Sequence, residues 1–251
     1  MEPFIRISQI SKSFNPKKEE MVFNQFSLDI EKNELLVLFG PNGCGKSTLL
    51  HMLAGLTPPD KGNISIGNQP PSKTKVGIVF QNYSDSVFPW RTVKENIGLG
   101  FEAKRTPPTE EKTNEILKPF NLLQHQHKFP HQLSGGLKQL TAISRAIAYD
   151  PEVFLLDEPF SALDYQHTRI VWVEFLHLLS KLNKTAILIS HDVDEAIFLA
   201  DRVVILSNPP AKIVDIISIE FSKPRNLGLM QSNKFFQYRN SILRSFEKGL
   251  K

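Results

Sequence analysis

Nine residues constrain this chain more than any other stretch: Gly40 to Thr48, reading Gly-Pro-Asn-Gly-Cys-Gly-Lys-Ser-Thr. Before them, Glu34 to Phe39 is an apolar run of strand length. After them, Lys46 to Leu56 carries Leu49, Leu50, Leu53 and Leu56 at helical spacing. Strand, glycine-rich loop and helix in that order supply the context that the pattern GxxxxGK(S/T) requires. Gly40, Gly43 and Gly45 let successive backbone N–H groups point inward at phosphate oxygens, and the helix starting near Lys46 aims its positive end at the same anion. Lys46 would neutralise the β- and γ-phosphates, and the Ser47 hydroxyl would complete a Mg²⁺ shell. A glycine-rich turn before an ordinary helix is the plain alternative, and the flanks argue against it. A nucleoside-triphosphate site is expected here.

A chain of 251 residues has room for one large α/β domain, or for a core with an inserted subdomain. With 41% hydrophobic and 22% charged residues, the composition is that of an ordinary globular protein. The net charge of +4 is compatible with nucleic acid or an anionic membrane, but basicity this mild is more often incidental. No stretch approaches the roughly 18 apolar residues of a membrane span, and Met1 to Arg6 lacks the regions of a signal peptide. Cys44 is the only cysteine, so no internal disulfide can form, which suits a reducing cytoplasm. A helix terminus could activate that thiol; a small filler in the loop is the favoured reading.

Phe4 to Ile10 alternates as a half-buried strand, and Val22 to Ile30 reads as another, with Lys17-Lys18-Glu19-Glu20 between them as a solvated turn. Phe14 follows the first strand; it could stack on an adenine ring, but position alone favours the core. Pro58 to Gly62 signals a turn, and short strands are expected over Asn63–Ile66 and Val76–Phe80, the second ending at Gln81. Thr92-Val93-Lys94-Glu95 opens a helix with capping-box spacing, and Thr109 to Asn121 predicts a second. His125, His127 and His131 match no familiar metal-ligand spacing and read as a polar loop.

Leu133 to Gln139 then opens a helix reaching about Tyr149, with Ser134 as N-cap and Gly135-Gly136 exposing backbone donors. Val153 to Leu156 is a buried strand ending in Asp157 and Glu158, as a site at the C-terminal edge of a parallel sheet requires. Asp157 would hold Mg²⁺ directly or through water, and Glu158 would orient the attacking water in γ-phosphate hydrolysis; a helix cap or solvated turn is the plain alternative. Ser161 to Asp164 caps a helix reaching about Asn183. Thr185 to Ser190 is a further strand, ending at His191, which is placed to hydrogen-bond a γ-phosphate. A short helix over Asp192–Asp201 and strands over Arg202–Leu206 and Lys212–Ile219 follow. The tail from Asn233 spaces Phe235, Phe236, Ile242, Leu243 and Phe246 as a docked terminal helix or, less readily, a partner contact.

Together these residues resemble the ATP-binding cassette (ABC) ATPases. The ordered set is Phe14 as the aromatic stacking position, Gly40 to Thr48 as Walker A, Gln81 as the Q-loop, and Leu133 to Gln139 as the signature. Val153 to Glu158 follow as Walker B, Ser161 to Asp164 as the D-loop and His191 as the switch histidine. Over nearly the whole chain the resemblance implies an α/β P-loop NTPase fold: a RecA-like core with an antiparallel β subdomain, in residues 1–88 and 151–251, and an inserted helical subdomain over 89–150.

The resemblance implies ATP on Phe14, Gly40, Pro41, Asn42, Gly43, Cys44, Gly45, Lys46, Ser47 and Thr48, with Mg²⁺ held by Ser47, Gln81 and Asp157. Glu158, His191 and Gln81 are the implied catalytic set. Ser134, Gly135 and Gly136 would contact ATP held by a second copy paired head to tail. Phe88 to Asn96, Phe129 to Gly136, His191 to Ala196 and Phe198 to Val204 are similar to importers of nitrate, sulfonate and taurine type, a subgroup that includes thiamine-precursor and bicarbonate importers.

The implied partners are a membrane permease and, indirectly, a solute-binding protein, with no nucleic acid. The implied location is peripheral, on the cytoplasmic face of the inner or plasma membrane. Two departures stand out: Leu140 where the family commonly has Arg, and a slightly longer loop from Asn82 to Phe88. Neither removes a catalytic group. The competing readings are a soluble ABC ATPase acting on nucleic acid or protein assembly, and a non-hydrolysing nucleotide switch; the segment from Pro89 to Asn96 argues against the first, and Glu158 with His191 against the second.

Overall fold

A computed structural model describes residues 2–15, 20–82 and 86–250. The Lys17-Lys18-Glu19 part of the expected turn and the middle of the Asn82–Phe88 loop lie outside those residues. Two sheets organise the chain. An antiparallel one has the order β2 (Met21–Ile30), β1 (Ile5–Ser13), β4 (Lys61–Ile66). The larger has the order β5 (Val76–Val79), β6 (Val153–Asp157), β7 (Thr185–Ile189), β3 (Leu35–Phe39), β8 (Arg202–Leu206), β9 (Ile213–Ser218). Its first five strands are parallel, and β9 pairs antiparallel with β8.

The middle strands β3, β6 and β7 are buried at every position, which is why they read as continuous apolar runs rather than alternating ones. Their side chains divide with the two-residue period of a strand. Leu36, Leu38, Leu155, Ile187 and Ile189 face a core shared with the antiparallel sheet and helix α1 (Lys46–Leu53). Val37, Phe39, Phe154, Leu156 and Leu188 face the second core. That core is covered by α2 (Val93–Ala103), α4 (Gly135–Tyr149), α5 (Tyr165–Leu182), α6 (Val193–Leu199) and α7 (Asn233–Gly249). Each fully buried Leu, Ile or Phe contributes about 1.5–3 kcal/mol over its exposed state.

Several element ends differ from the sequence reading. Strand β1 continues past Ile10 to Ser13, because buried Lys12 donates to Asp60 at 3.0 Å and to the Pro58 carbonyl at 2.9 Å, so a polar stretch stays in the sheet. Helix α1 stops at Leu53, short of Leu56, where Gly55 turns the chain at φ +72°. Helix α3 (Glu110–Leu117) likewise ends before Asn121, which sits at φ 55°. At α2 the expected capping box is present: Thr92 accepts from the Glu95 N–H and the Glu95 carboxylate accepts from the Thr92 N–H at 2.7 Å. The terminal helix α7 is docked, with Phe235 and Ile242 buried and Phe246 edge-on to Phe39 at 5.3 Å.

Ion pairs gather at the N-terminal edge of the parallel strands. Asp150 holds Lys104 at 2.6 Å and Lys184 at 2.8 Å; Glu34 holds Arg202; Asp201 holds Lys223 at 2.8 Å and accepts from the Leu35 N–H.

Candidate active site

At the opposite, C-terminal edge of the sheet lies a cavity of about 560 Å³. Its walls come from elements far apart in sequence. The loop after β3 and the start of α1 bring Asn42, Gly43, Gly45, Lys46, Ser47 and Thr48; the end of β5 brings Gln81; the end of β6 brings Asp157 and Glu158; the end of β7 brings His191; and the stretch after β1 brings Phe14. The parallel register delivers Asp157 beside Ile189, so strand pairing alone sets the spacing of the acidic pair and the histidine.

The loop itself is tightly determined. Gly45 has φ +106°, and a Cβ there would lie 2.5 Å from Val22 Cγ1, so both conformation and space require glycine. Lys46, only 6% exposed, donates to the carbonyls of Gly40 and Pro41, both at 2.8 Å, which holds its ammonium at the floor of the cavity. Cys44 is fully buried with its thiol packed inward, and burial pushes that thiol's pKa up despite nearby Lys46. It is filler, not a reactive group. Gly40, Pro41 and Cys44 do not line the cavity wall.

Phe14 corrects the position-based expectation. It is 65% exposed rather than in the core, lies on the cavity wall, and has the Lys12 ammonium 5.5 Å from its ring centre. A flat aromatic face at the mouth of a phosphate-binding cavity suits stacking against a planar base.

Burial raises the pKa of Asp157, and the hydrogen bond from Ser47 opposes that rise. The resulting pair, a hydroxyl and a desolvated carboxylate, is a hard-oxygen donor set suited to Mg²⁺. Glu158 is the focal group. One of its oxygens, Oε2, lies 3.3 Å from Gln81 Nε2 and 3.2 Å from His191 Nδ1. Its backbone occupies the left-handed region at φ 48°, which costs a non-glycine residue of order 1 kcal/mol and persists only where the surroundings over-determine it.

Those surroundings include a residue whose part the sequence did not disclose. The Glu158 N–H donates to the Ile189 carbonyl at 3.1 Å. The Glu158 carbonyl accepts from Ser161 Oγ and from Gln139 Nε2, each at 3.0 Å, while Gln139 Oε1 accepts from the Ala162 N–H at 3.1 Å. Gln139 is fully buried on α4, four residues before buried Ile143. A glutamine in register with the apolar face of a helix was the one available signal.

Ser134 caps α4, accepting from the Leu137 N–H. With Gly135 and Gly136 it lines a different cavity, alongside Leu163, Asp164 and His167, so one copy of the chain does not bring these residues to the loop at Lys46. A Cβ on Gly136 would lie 2.7 Å from Leu163 Cδ2 and 3.1 Å from the Ala162 carbonyl oxygen, so the helix start packs closely on the Ser161–Asp164 turn. His125, His127 and His131 form no metal-ligating cluster among the described residues.

Comparison with known proteins agrees with this architecture. The sequence model of the ABC transporter family matches residues 23–161. A nitrate import ATP-binding protein from Synechococcus elongatus is 36% identical over 96% of this chain and 90% of its own length. An aliphatic sulfonates import ATP-binding protein from Bacillus thuringiensis is 37% identical over 98% and 96%. Among solved structures, a dimeric ATP-binding cassette in a post-hydrolysis state, bound to ADP and Pi, superposes with a TM-score of 0.76 at 25% identity, covering 87% of this chain and 100% of that one. Family match, relatives of nearly equal length and a shared fold lead to one assignment: the chain belongs to the ABC transporter ATP-binding family.

Proposed function

We propose that this chain is the ATP-hydrolysing subunit that energises an importer of a small solute, in the class of the nitrate and sulfonate importers whose subunits it is similar to. The observation that carries the reading is the convergence of Gln81 and His191 on one oxygen of Glu158, at the wall of a cavity that also holds Lys46, Ser47 and Asp157. The Lys46 ammonium and the loop N–H groups bind the phosphates of ATP, and Phe14 stacks on the base. Ser47, Asp157 and Gln81 would hold Mg²⁺, which supplies charge neutralisation at the β- and γ-phosphates when bound. Glu158 orients and polarises the attacking water, and His191 hydrogen-bonds the γ-phosphate region from the far side.

Because Ser134 to Gly136 face a separate cavity, two copies pair head to tail so that the signature of one completes the ATP site of the other. The helices over 89–150 form a subdomain distinct from the core in 1–88 and 151–251. A membrane permease docks near the Q-loop, with a solute-binding protein acting further upstream, and the chain sits peripherally on the cytoplasmic membrane face. No helix among the described residues is long and apolar enough to cross a membrane.

The test is a pull-down of tagged protein from detergent-solubilised membranes with mass-spectrometric identification, alongside an ATPase assay. A multi-span permease in stoichiometric yield, together with ATP turnover, is expected. Nucleic acid or soluble proteins alone would replace the transport reading with that of a soluble ABC ATPase.

A further inference from the structure

Phe14 offers its ring to the cavity just beyond the end of β1, where the side chain is mostly exposed. An exposed ring samples several rotamers unless a neighbour holds it. The neighbour here is Lys12, two residues earlier, whose ammonium lies 5.5 Å from the ring centre.

Lys12 is only 8% exposed, and a buried ammonium needs partners. It donates to Asp60 Oδ1 at 3.0 Å and to the Pro58 carbonyl at 2.9 Å. An ammonium has three N–H donors; two reach these oxygens, and the same charge stands within cation–π range of Phe14. Asp60 grips the strand end twice more. Its Oδ2 accepts from the Ser13 N–H at 2.9 Å, and its own N–H donates to the Ser11 carbonyl at 2.9 Å. Ser11, Lys12 and Ser13, the three residues before Phe14, are therefore all tied to one turn.

That turn continues from the phosphate-binding element. Pro58 to Asp60 lie between the end of α1 at Leu53 and the start of β4 at Lys61, and α1 begins with Lys46 on the cavity wall. On its other side β1 pairs with β2, with Lys12 opposite Phe23, and both Val22 and Phe23 lie against Gly45. Lys12 itself does not line the cavity. Its ammonium thus meets the ring from outside and leaves the cavity side of the ring open.

We infer that Lys12 is a positioning residue for nucleotide binding: clamped to Asp60 and Pro58, it fixes the Phe14 ring relative to the phosphate cradle, with one face free to stack on the base. This rests on the stacking role proposed above for Phe14. A ring ordered in advance does not have to be immobilised by the incoming nucleotide, which favours affinity. Lys12 touches neither the phosphates nor the reacting water, so its loss weakens the hold on the base and leaves the chemical step alone.

The experiment titrates the full chain calorimetrically with ADP and with inorganic pyrophosphate, which has the same two phosphates and no base, and measures kcat at saturating ATP. Lys12→Met keeps an apolar stem without the charge. Its ADP affinity should fall about three- to tenfold, with pyrophosphate affinity and kcat within about twofold of wild type. Should that variant fail to fold, Asp60→Ala, in the exposed turn, frees the same ammonium and should give the same base-dependent loss. Phe14→Ala should lower ADP affinity about tenfold. Adding Lys12→Met to it should change that affinity by less than about twofold more, because the two act through one ring.

Equal losses for ADP and pyrophosphate would make Lys12 a brace of the turn and overturn the inference. So would unchanged ADP affinity, or a full further loss in the Phe14→Ala background. A wild-type chain that binds ADP no more tightly than pyrophosphate would refute the stacking role of Phe14, and this inference with it. Selectivity for ADP without ATP turnover would refute the hydrolysis reading alone, and the ADP comparison would still decide the part played by Lys12.

Discussion

Replacing Gln139 by Leu tests whether the signature helix holds the catalytic turn in place. The side chains are of similar size and the site is fully buried, so the change deletes three hydrogen bonds, with the Glu158 carbonyl, Ser161 Oγ and the Ala162 N–H, with little change in packing. The Glu158 carbonyl keeps Ser161 Oγ at 3.0 Å as a partner, so its loss is small. The Ala162 N–H loses its 3.1 Å acceptor within the protein, and an amide left unpaired costs about 1–3 kcal/mol. A destabilisation near 1.5 kcal/mol is expected, which corresponds to a drop of roughly 3–6 °C in melting temperature for a chain of this size.

The catalytic cost is separate. Glu158 is held in a left-handed conformation at φ 48° by its neighbours. Loosening that turn displaces its carboxylate, and a misplacement of about 1 Å reduces turnover by up to about 100-fold. Urea unfolding reads the first quantity. Steady-state ATPase at saturating ATP, with a fluorescent-nucleotide binding assay, reads the second. A fall of about tenfold or more in kcat with nucleotide affinity nearly unchanged is expected. The full loss of stability with unaltered kcat would show that Gln139 is only a structural brace, and the positioning argument would fail.

Glu158→Gln should preserve nucleotide affinity while lowering turnover by about 10²–10⁴, the usual worth of a positioned base; near-normal hydrolysis in that variant would dismiss Glu158 as the water-orienting group. Thr92→Ala breaks the capping box of α2, in which the Thr92 oxygen accepts from the Glu95 N–H at 3.3 Å, and should cost about 1 kcal/mol in chemical denaturation. Asp150→Asn should cost about 1 kcal/mol at neutral pH, modest because the charges of Lys104 and Lys184 are partly solvated. Burial pushes the Asp150 carboxyl up, but the two lysines outweigh it and hold it below its ordinary 3.8. The contribution is therefore present above that value and lost as pH falls through the depressed one. Denaturation curves for the Asn variant and wild type should converge in acid.

Much of this arrangement was legible because buried parallel strands leave a sharp mark. Leu35 to Phe39, Val153 to Leu156 and Thr185 to Ile189 are apolar on both faces. The polar residues that follow them, such as Asp157 and His191, must therefore emerge at the same edge of the sheet. Strand order was not legible: nothing local to β3 says that it pairs between β7 and β8, since every one of these strands offers the same apolar face. For Phe14, position alone argued for the core while the resemblance assigned it to stacking; the structure has it 65% exposed on the cavity wall, which only the three-dimensional position of the β1 end decides. Gln139 was hidden for the opposite reason. A polar residue in a helix reads as solvated, and its burial depends on a partner, Ala162, contributed by another part of the chain.

The two edges of the large sheet carry different kinds of chemistry. Carboxylate–cation pairs at Asp150, Glu34 and Asp201 anchor the strand starts, while the phosphate cradle and Glu158 occupy the strand ends about five residues away along each strand. The sheet thus acts as an insulator between robustness and reactivity. Charge substitutions at the anchored edge can raise or lower the unfolding temperature across several degrees while leaving turnover per folded molecule unchanged. A lineage carrying this fold can therefore adapt to heat, salt or acidity at one rim without retuning the other.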